Sequence, residues 1–158
     1  MKPNQHPLLS LKKRALYYLG KREYSKAELR KKVLAYAESL GIEKDDIEHM
    51  LSELEKDSWL SDKRFTEQFI YSRKNKFGIK KIVYELKSKG VDDQIISHAI
   101  DSIRSEEFIL AQGIWKKKFK DLPIDNDEKA KQTRFLQGRG IDPFIIQKIL
   151  SGKSFEYI

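Results

Sequence analysis

The chain contains no cysteine, which removes disulfides, thiolate metal sites and cysteine nucleophiles together and suits a reducing compartment. Long hydrophobic runs are also missing. Ahead of Ser10 the apolar run is only Leu8-Leu9, far short of a signal-peptide core or a membrane span, so a cytoplasmic protein with no membrane partner is expected. Histidine is scarce: His6, His49 and His98 stand far apart, and none lies three or four residues from another, so no zinc-ligand spacing is present. Neither a Gly-rich phosphate loop followed by lysine nor a Gly-x-Ser-x-Gly elbow occurs, which leaves nucleotide and serine hydrolysis without a candidate site. The pairs Asp45-Asp46 and Asp92-Asp93 precede helical runs, where carboxylates cap amides and complement the helix dipole. No metal, cofactor or catalytic residue is expected, and a nuclease would need clustered carboxylates that are not visible.

What is present is charge. Hydrophobic residues make up 39% and charged residues 35% of 158, too apolar for disorder and unusually charged for a compact globule, a combination that an elongated arrangement would reconcile. Lys and Arg number 32 against 24 Asp and Glu, a formal charge of +8, which points to a polyanion or an acidic protein surface as partner.

No stretch alternates apolar and polar residues long enough for a strand, whereas helical spacing recurs. Ile79, Ile82, Val83 and Leu86 fall on one stripe, as do Ile47, Met50, Leu51 and Leu54. Leu29, Val33, Tyr36, Ala37 and Leu40, and Ile95, Ile96, Ala99, Ile100 and Ile103, form two further stripes. All four predict amphipathic helices. Gly41, Gly90 and Gly140 each follow a helical run and precede an Asp-containing helix start, as helix-ending glycines do. Gly90-Val91-Asp92 matches Gly140-Ile141-Asp142, Gly41-Ile42 repeats the scheme with one inserted residue, and the glycines are 49 and 50 residues apart. That period accommodates three helices, predicted at 8–21, 25–40 and 44–57, then 62–75, 79–89 and 92–103, then 106–119, 127–138 and 142–151. Ser25, Asp92 and Asp142 are the expected N-caps, with Pro143 suited to the first helical position. Asp121 to Asp127, containing Pro123, is the longest expected loop. A lone three-helix unit is small for a stable core, so units should stack. The expected fold is all-α: a tail (1–7), three tandem three-helix repeats (8–57, 58–104 and 105–151) in an elongated, curved array, and a second tail (152–158).

The positive charge is clustered. Lys12 to Lys32 holds nine Lys and Arg against Glu23 and Glu28. Arg73, Lys74, Lys76, Lys80, Lys81, Lys87 and Lys89 form a second cluster against Glu85, and Lys116, Lys117, Lys118 and Lys120 with Lys129, Lys131, Arg134 and Arg139 a third. Glu38 to Asp57 is acidic, with eight Asp and Glu against Lys44 and Lys56. Because the basic clusters fall at the end of a first helix or along a second, a repeating structure would place them on corresponding surfaces as a basic stripe. The residues expected to contact nucleic acid or a filament are Arg22, Lys26, Arg30, Lys31, Arg73, Lys74, Lys76, Lys80, Lys81, Lys116, Lys117, Lys118, Arg134 and Arg139. Of the interleaved aromatics Tyr17, Tyr18, Tyr24, Tyr71, Phe77, Trp115 and Phe119, most should pack in the core, with Tyr24 and Phe77 beside turns and open to stacking.

Trp59-Leu60-Ser61-Asp62-Lys63-Arg64-Phe65, Tyr71-Ser72-Arg73, Gly78-Ile79-Lys80-Lys81-Ile82, Glu85-Leu86 and Lys89-Gly90-Val91 together resemble the RecX family. Arg14-Ala15-Leu16, Ser25-Lys26-Ala27-Glu28-Leu29, Lys131, Arg134-Phe135-Leu136 and Arg139-Gly140 extend the likeness over residues 8–151. Ser61 departs from it, standing where the family usually has an acidic residue, as does Gln137-Gly138, with glycine inside a predicted helix. The resemblance implies three tandem three-helix units and binding along the groove of the RecA filament on single-stranded DNA. It further implies modulation, usually inhibition, of strand exchange, filament-stimulated ATP hydrolysis and repressor cleavage. The expected partners are RecA, its filament and, more weakly, DNA, with the chain a monomer. Trp59, Phe65 and Ile82 are assigned to the core. The alternative is a free-standing helical DNA-binding protein, disfavoured because the third helices are acidic or mostly apolar on their visible stripe.

Overall fold

Local signals end and restart the helices where the glycine period places them. The structure, a computed structural model, describes residues 5–152. Among these are nine α-helices, one 3₁₀ turn at Arg104–Glu106, and no strand. The helices are α1 (Gln5–Leu19), α2 (Lys26–Ser39), α3 (Lys44–Lys56), α4 (Asp62–Arg73), α5 (Ile79–Ser88), α6 (Asp93–Asp101), α7 (Glu107–Lys118), α8 (Asn126–Gly138) and α9 (Pro143–Leu150). Residues 1–4 and 153–158 of the expected tails lie outside the described residues.

The corner after each second helix has a common physical basis. Gly41, Gly90 and Gly140 have φ of +69°, +77° and +82°, the left-handed conformation that a side chain disfavours. In that geometry the Gly41 N–H reaches the Glu38 carbonyl and the Ile42 N–H that of Ala37, and Gly140 and Ile141 do the same to Gln137 and Leu136. These bonds satisfy carbonyls the helix leaves open and return the next apolar residue to the interior. Val91 and Ile141 are buried and Ile42 is partly so. Asp92 and Asp142 then accept the N–H of Gln94 and Phe144, each at 2.8 Å, with Pro143 at the first turn of α9. Ser25 and Glu28 close a reciprocal capping box on α2. Ser61 accepts the Arg64 N–H at 3.1 Å, so serine performs the cap at this departure from the family pattern.

Of the predicted ends that shift, two have a visible local cause. The first helix starts at Gln5 rather than residue 8, since Pro7 within a first turn removes no intrahelical bond. The sixth ends at Asp101 rather than residue 103. There Ile103 N–H bonds the Ile100 carbonyl and Glu106 N–H that of Ile103, each at 3.0 Å, and this tighter turning keeps Ile103 buried.

The backbone forms two compact units, one comprising the chain up to Gln68 with Lys87–Ile95, the other Phe69–Leu86 with the chain from Ile96 onward. The first has a core of Leu11, Ala15, Leu29, Val33, Ala37, Ile47, Met50, Leu51, Leu54 and Leu60, joined by Tyr24. All four residues of the α3 stripe are therefore internal. In the second, Ala111, Ile114, Trp115, Leu136, Ile141, Ile146, Ile149 and Leu150 form a core. Trp115 donates to Gln132 Oε1 at 2.8 Å, and Gln132 Nε2 donates to the Asp121 carbonyl and to Glu128, each at 3.1 Å. This satisfies a buried amide and a buried indole together.

Each unit also seats a glycine corner on the start of a second helix. In the first, Ser25 Oγ donates to the Lys89 carbonyl at 2.7 Å, and a Cβ on Gly90 would lie 2.6 Å from the Ala27 Cβ. In the second, Gly78 N–H donates to the Arg139 carbonyl at 2.7 Å and Lys80 N–H to that of Gly140 at 3.2 Å. A Cβ on Gly140 would collide with the Lys81 backbone. The glycines therefore serve twice, in turning the chain and in admitting close approach.

Candidate functional site

The expected contact residues separate by what each side chain touches. In the first unit, α2 carries Lys26, Arg30, Lys31 and Lys32. Lys26 Nζ lies 2.7 Å from Glu55 Oε1, and Arg30 makes a two-pronged bond to Glu48, with Nη2 to Oε2 at 3.0 Å. The bond from Arg30 holds the Glu48 carboxyl below its usual range, and Glu48 in turn raises the Arg30 guanidinium. Two of the predicted cations are thus neutralised by the acidic face of α3. The Lys26 backbone N–H also donates to Asp62 at 2.8 Å, yet burial, with the charge of Glu55 adding to it, pushes the Asp62 carboxyl up.

Lys31 and Lys32 are exposed. With Arg22, Tyr24, Glu28 and Lys89 they line a concavity of about 400 Å³. The Arg22 guanidinium lies 3.5 Å from the centre of the Tyr24 ring, donates to the Glu23 carbonyl at 2.8 Å and meets Glu28 Oε2 at 3.1 Å. Lys89 reaches the same oxygen at 3.4 Å. Burial raises the Glu28 carboxyl, but the Arg22 and Ser25 hydrogen bonds and the charges of Arg22 and Lys89 outweigh it, and the net shift is downward. Lys32 and Lys89 belong to the basic clusters but not to the contact residues expected from sequence. Their sign was Glu28, four residues before Lys32 and carrying the capping box.

In the second unit, two sequence-distant clusters converge on two aromatic rings. Arg73, Lys81 and Arg139 lie 5.8, 4.5 and 5.3 Å from the centre of Phe77. Arg139 and Lys118 lie 5.1 and 5.6 Å from Phe135, which packs edge-on to Phe119 at 5.4 Å. Such cation-on-ring contacts contribute about 0.5–1 kcal/mol at exposed sites; here they also fix where the charges stand. Arg139 Nη1 further donates to the Lys76 carbonyl at 3.2 Å. Arg73 additionally pairs with Glu85 at 3.3 Å, and Lys74 and Lys80 lie 4.0 Å from Glu106 and Asp142. Lys76, Lys116, Lys117 and Arg134 are exposed and do not join the ring group. Phe135 was missed as a support, although Arg139 follows it at the helical spacing of four.

Four aromatics stand differently from expectation. Tyr24 is 7% exposed, because Arg22 covers its face and Tyr18 packs at 6.2 Å, so its ring is closed to stacking. Trp59 is 59% exposed and not core. Ser58 adopts φ +65°, and the turn it makes buries Leu60 while leaving Trp59 outside, with Arg64 bonding the Ser58 and Trp59 carbonyls and Glu23. Tyr17 and Tyr71 are likewise exposed. Phe65 and Ile82 are buried as expected.

Among the described residues no three His, Asp or Glu side chains gather as a metal-binding group, and no helix is long and apolar enough to cross a membrane. Residues 61–100 match the model of the second three-helix domain of RecX, and residues 105–150 that of the third. The regulatory protein RecX of Ralstonia nicotianae is 37% identical over 144 residues, spanning 91% of this chain and 88% of that protein. That of Chromobacterium violaceum is 38% identical over 143 residues, 90% of each chain. The crystal structure of RecX from Lactobacillus salivarius has the same fold, with a TM-score of 0.76 at 22% identity over 92% of this chain and 95% of that one. The helical corners, the repeat spacing and these relatives lead to one conclusion: this chain belongs to the RecX family of regulatory proteins.

Proposed function

We propose that the chain is a cytoplasmic, monomeric regulator of the RecA recombinase that binds along the groove of the RecA filament on single-stranded DNA. It inhibits strand exchange, filament-stimulated ATP hydrolysis and repressor cleavage by occupying that groove and favouring disassembly. It acts by binding, without a cofactor or catalytic centre. The carrying observation is the convergence of Arg73, Lys81, Lys118 and Arg139 on the Phe77 and Phe135 rings. Cations drawn from residues 73 to 139 and held on aromatic supports make a fixed electropositive surface suited to a polyanionic assembly. Several such contacts on one chain favour an assembled filament over free subunits, because the second contact forms at high effective concentration.

The test is the triple variant Lys81→Ala/Lys118→Ala/Arg139→Ala, which removes three of the ring-held cations. Filament affinity should fall and its salt dependence become shallower, because fewer counterions are displaced. Replacing Glu53, on the acidic face of α3 beside His49, by glutamine should change neither. A folded triple variant with wild-type affinity and salt slope overturns the proposal.

A further inference from the structure

Within the first basic cluster, cations on one helix have opposite fates. Lys26 and Arg30 are committed to Glu55 and Glu48, whereas Lys31 and Lys32 open into the concavity with Arg22 and Lys89. We propose that this concavity is a phosphate-binding site for the backbone of a single nucleic-acid strand, and that Lys26 and Arg30 take no part in it. The inference rests on the polyanion-binding role proposed above and names the partner of one cluster.

Charge is the first reason. Four cations line the concavity against the single carboxylate of Glu28, so the site carries a net excess of three positive charges. Glu28 is already occupied by Arg22, Lys89 and the Ser25 N–H, which leaves it a brace that positions the two flanking cations rather than a competitor for them. Arg22 is further fixed by the Tyr24 face and the Glu23 carbonyl, so one donor group is set in place before a ligand arrives.

The remaining lining decides between ligands. Tyr24 is buried beneath Arg22 and none of the large exposed hydrophobic side chains borders the site, so it lacks the apolar anchor that centres a protein interface. Asn and Gln are also absent from the lining, and the Arg22 guanidinium, the one planar donor fork there, is committed to Tyr24, the Glu23 carbonyl and Glu28, so no free planar group is left to read a base edge bidentately. The cations are mostly solvent-exposed, which makes a lone phosphate ion a weak ligand, whereas a strand supplies successive phosphates and releases its counterions on binding. Sequence-independent backbone contact is what this chemistry favours.

The experiment compares two double variants of the full-length chain, Lys31→Ala/Lys32→Ala and Lys26→Ala/Arg30→Ala, after circular dichroism confirms that both are folded. Binding to fluorescein-labelled oligothymidylate is followed by anisotropy across a salt series. Each lost contact to a single strand removes about 0.7 from the log–log salt slope, so the Lys31/Lys32 variant should lose roughly 1.4 while the Lys26/Arg30 variant keeps the wild-type slope. Inorganic phosphate should compete no better than chloride at matched ionic strength. Equal losses in the two variants, an unchanged slope for Lys31/Lys32, or specific competition by inorganic phosphate would each overturn the assignment. A Lys31/Lys32 variant that lost filament binding but kept its slope on free DNA would refute the phosphate site and leave the filament reading standing. A wild-type chain that bound oligothymidylate with the expected slopes but ignored the filament would do the reverse.

Discussion

Replacing Gly41, Gly90 and Gly140 singly by alanine separates two physical roles that their shared sequence context merges. All three adopt positive φ, between +69° and +82°, and a Cβ in that conformation costs about 1–2 kcal/mol. At Gly41 nothing lies within 4 Å of the added carbon, so that strain is the whole effect. At Gly90 the carbon would sit 2.6 Å from the Ala27 Cβ, and at Gly140 it would lie 2.6 Å from the Lys81 backbone nitrogen. Neither neighbour is the end of a flexible side chain, and overpacking of this kind adds about 1–3 kcal/mol. At Gly140 the bond from Lys80 N–H to the Gly140 carbonyl is also put at risk. Expected losses are therefore about 1–2 kcal/mol for Gly41→Ala and about 2–5 kcal/mol for Gly90→Ala and Gly140→Ala. Urea unfolding followed by helical circular dichroism measures them. Gly113→Ala and Gly138→Ala are the internal controls, since both glycines lie in helices with open space around the added carbon; they should stabilise by about 0.5–1 kcal/mol. Equal losses at Gly41, Gly90 and Gly140 would refute the claim that two of these corners are seated against a neighbouring helix and one is not.

Gln132→Leu should cost about 1–3 kcal/mol, because it leaves the Trp115 N–H buried and unpaired, and the Trp115 fluorescence should change with it; unaltered stability and emission would discount that bond. A charged residue at Ile82 or Leu86, both almost fully buried, should lower the unfolding midpoint by the equivalent of several kcal/mol, and normal midpoints would mean the stripe is misread. The carboxyls of Glu28 and Glu48 have folded values below their unfolded ones, so their contribution is present above the unfolded value and is lost as pH falls through the folded one. Asp62 is raised and works in the opposite sense, so Asp62→Asn should steepen the acid-side loss of stability in a pH titration of the urea midpoint; an unchanged profile would contradict the burial of that charge.

The helical corners were legible because their causes are local. A left-handed glycine, an apolar residue three positions past the helix and an aspartate cap all lie within a few residues, and Gly90-Val91-Asp92 and Gly140-Ile141-Asp142 display them in order. The α3 and α5 stripes were legible for the same reason, since a buried face imposes its period on a single helix. Trp59 was not, because an aromatic before Leu60 reads as core until the left-handed Ser58 is known to turn it outward. The contact surface was legible as clusters but not as individual side chains. Spacing along α2 cannot tell the role of Arg30 from that of Lys31; only the packing of α2 on α3 brings Glu48 to the one and leaves the other beside Arg22 and Lys89. Nor could spacing bring Phe77 and Arg139 together, which depends on the Gly140 corner seating on the start of α5.

The most direct test of the regulator reading is binding of the purified chain to single-stranded DNA alone, to RecA alone and to the RecA filament on DNA, at matched salt. Clear preference for the filament over either component is predicted, with DNA alone bound weakly and with a salt slope. Binding to DNA alone as tight as binding to the filament would contradict that reading and favour a free-standing DNA-binding protein.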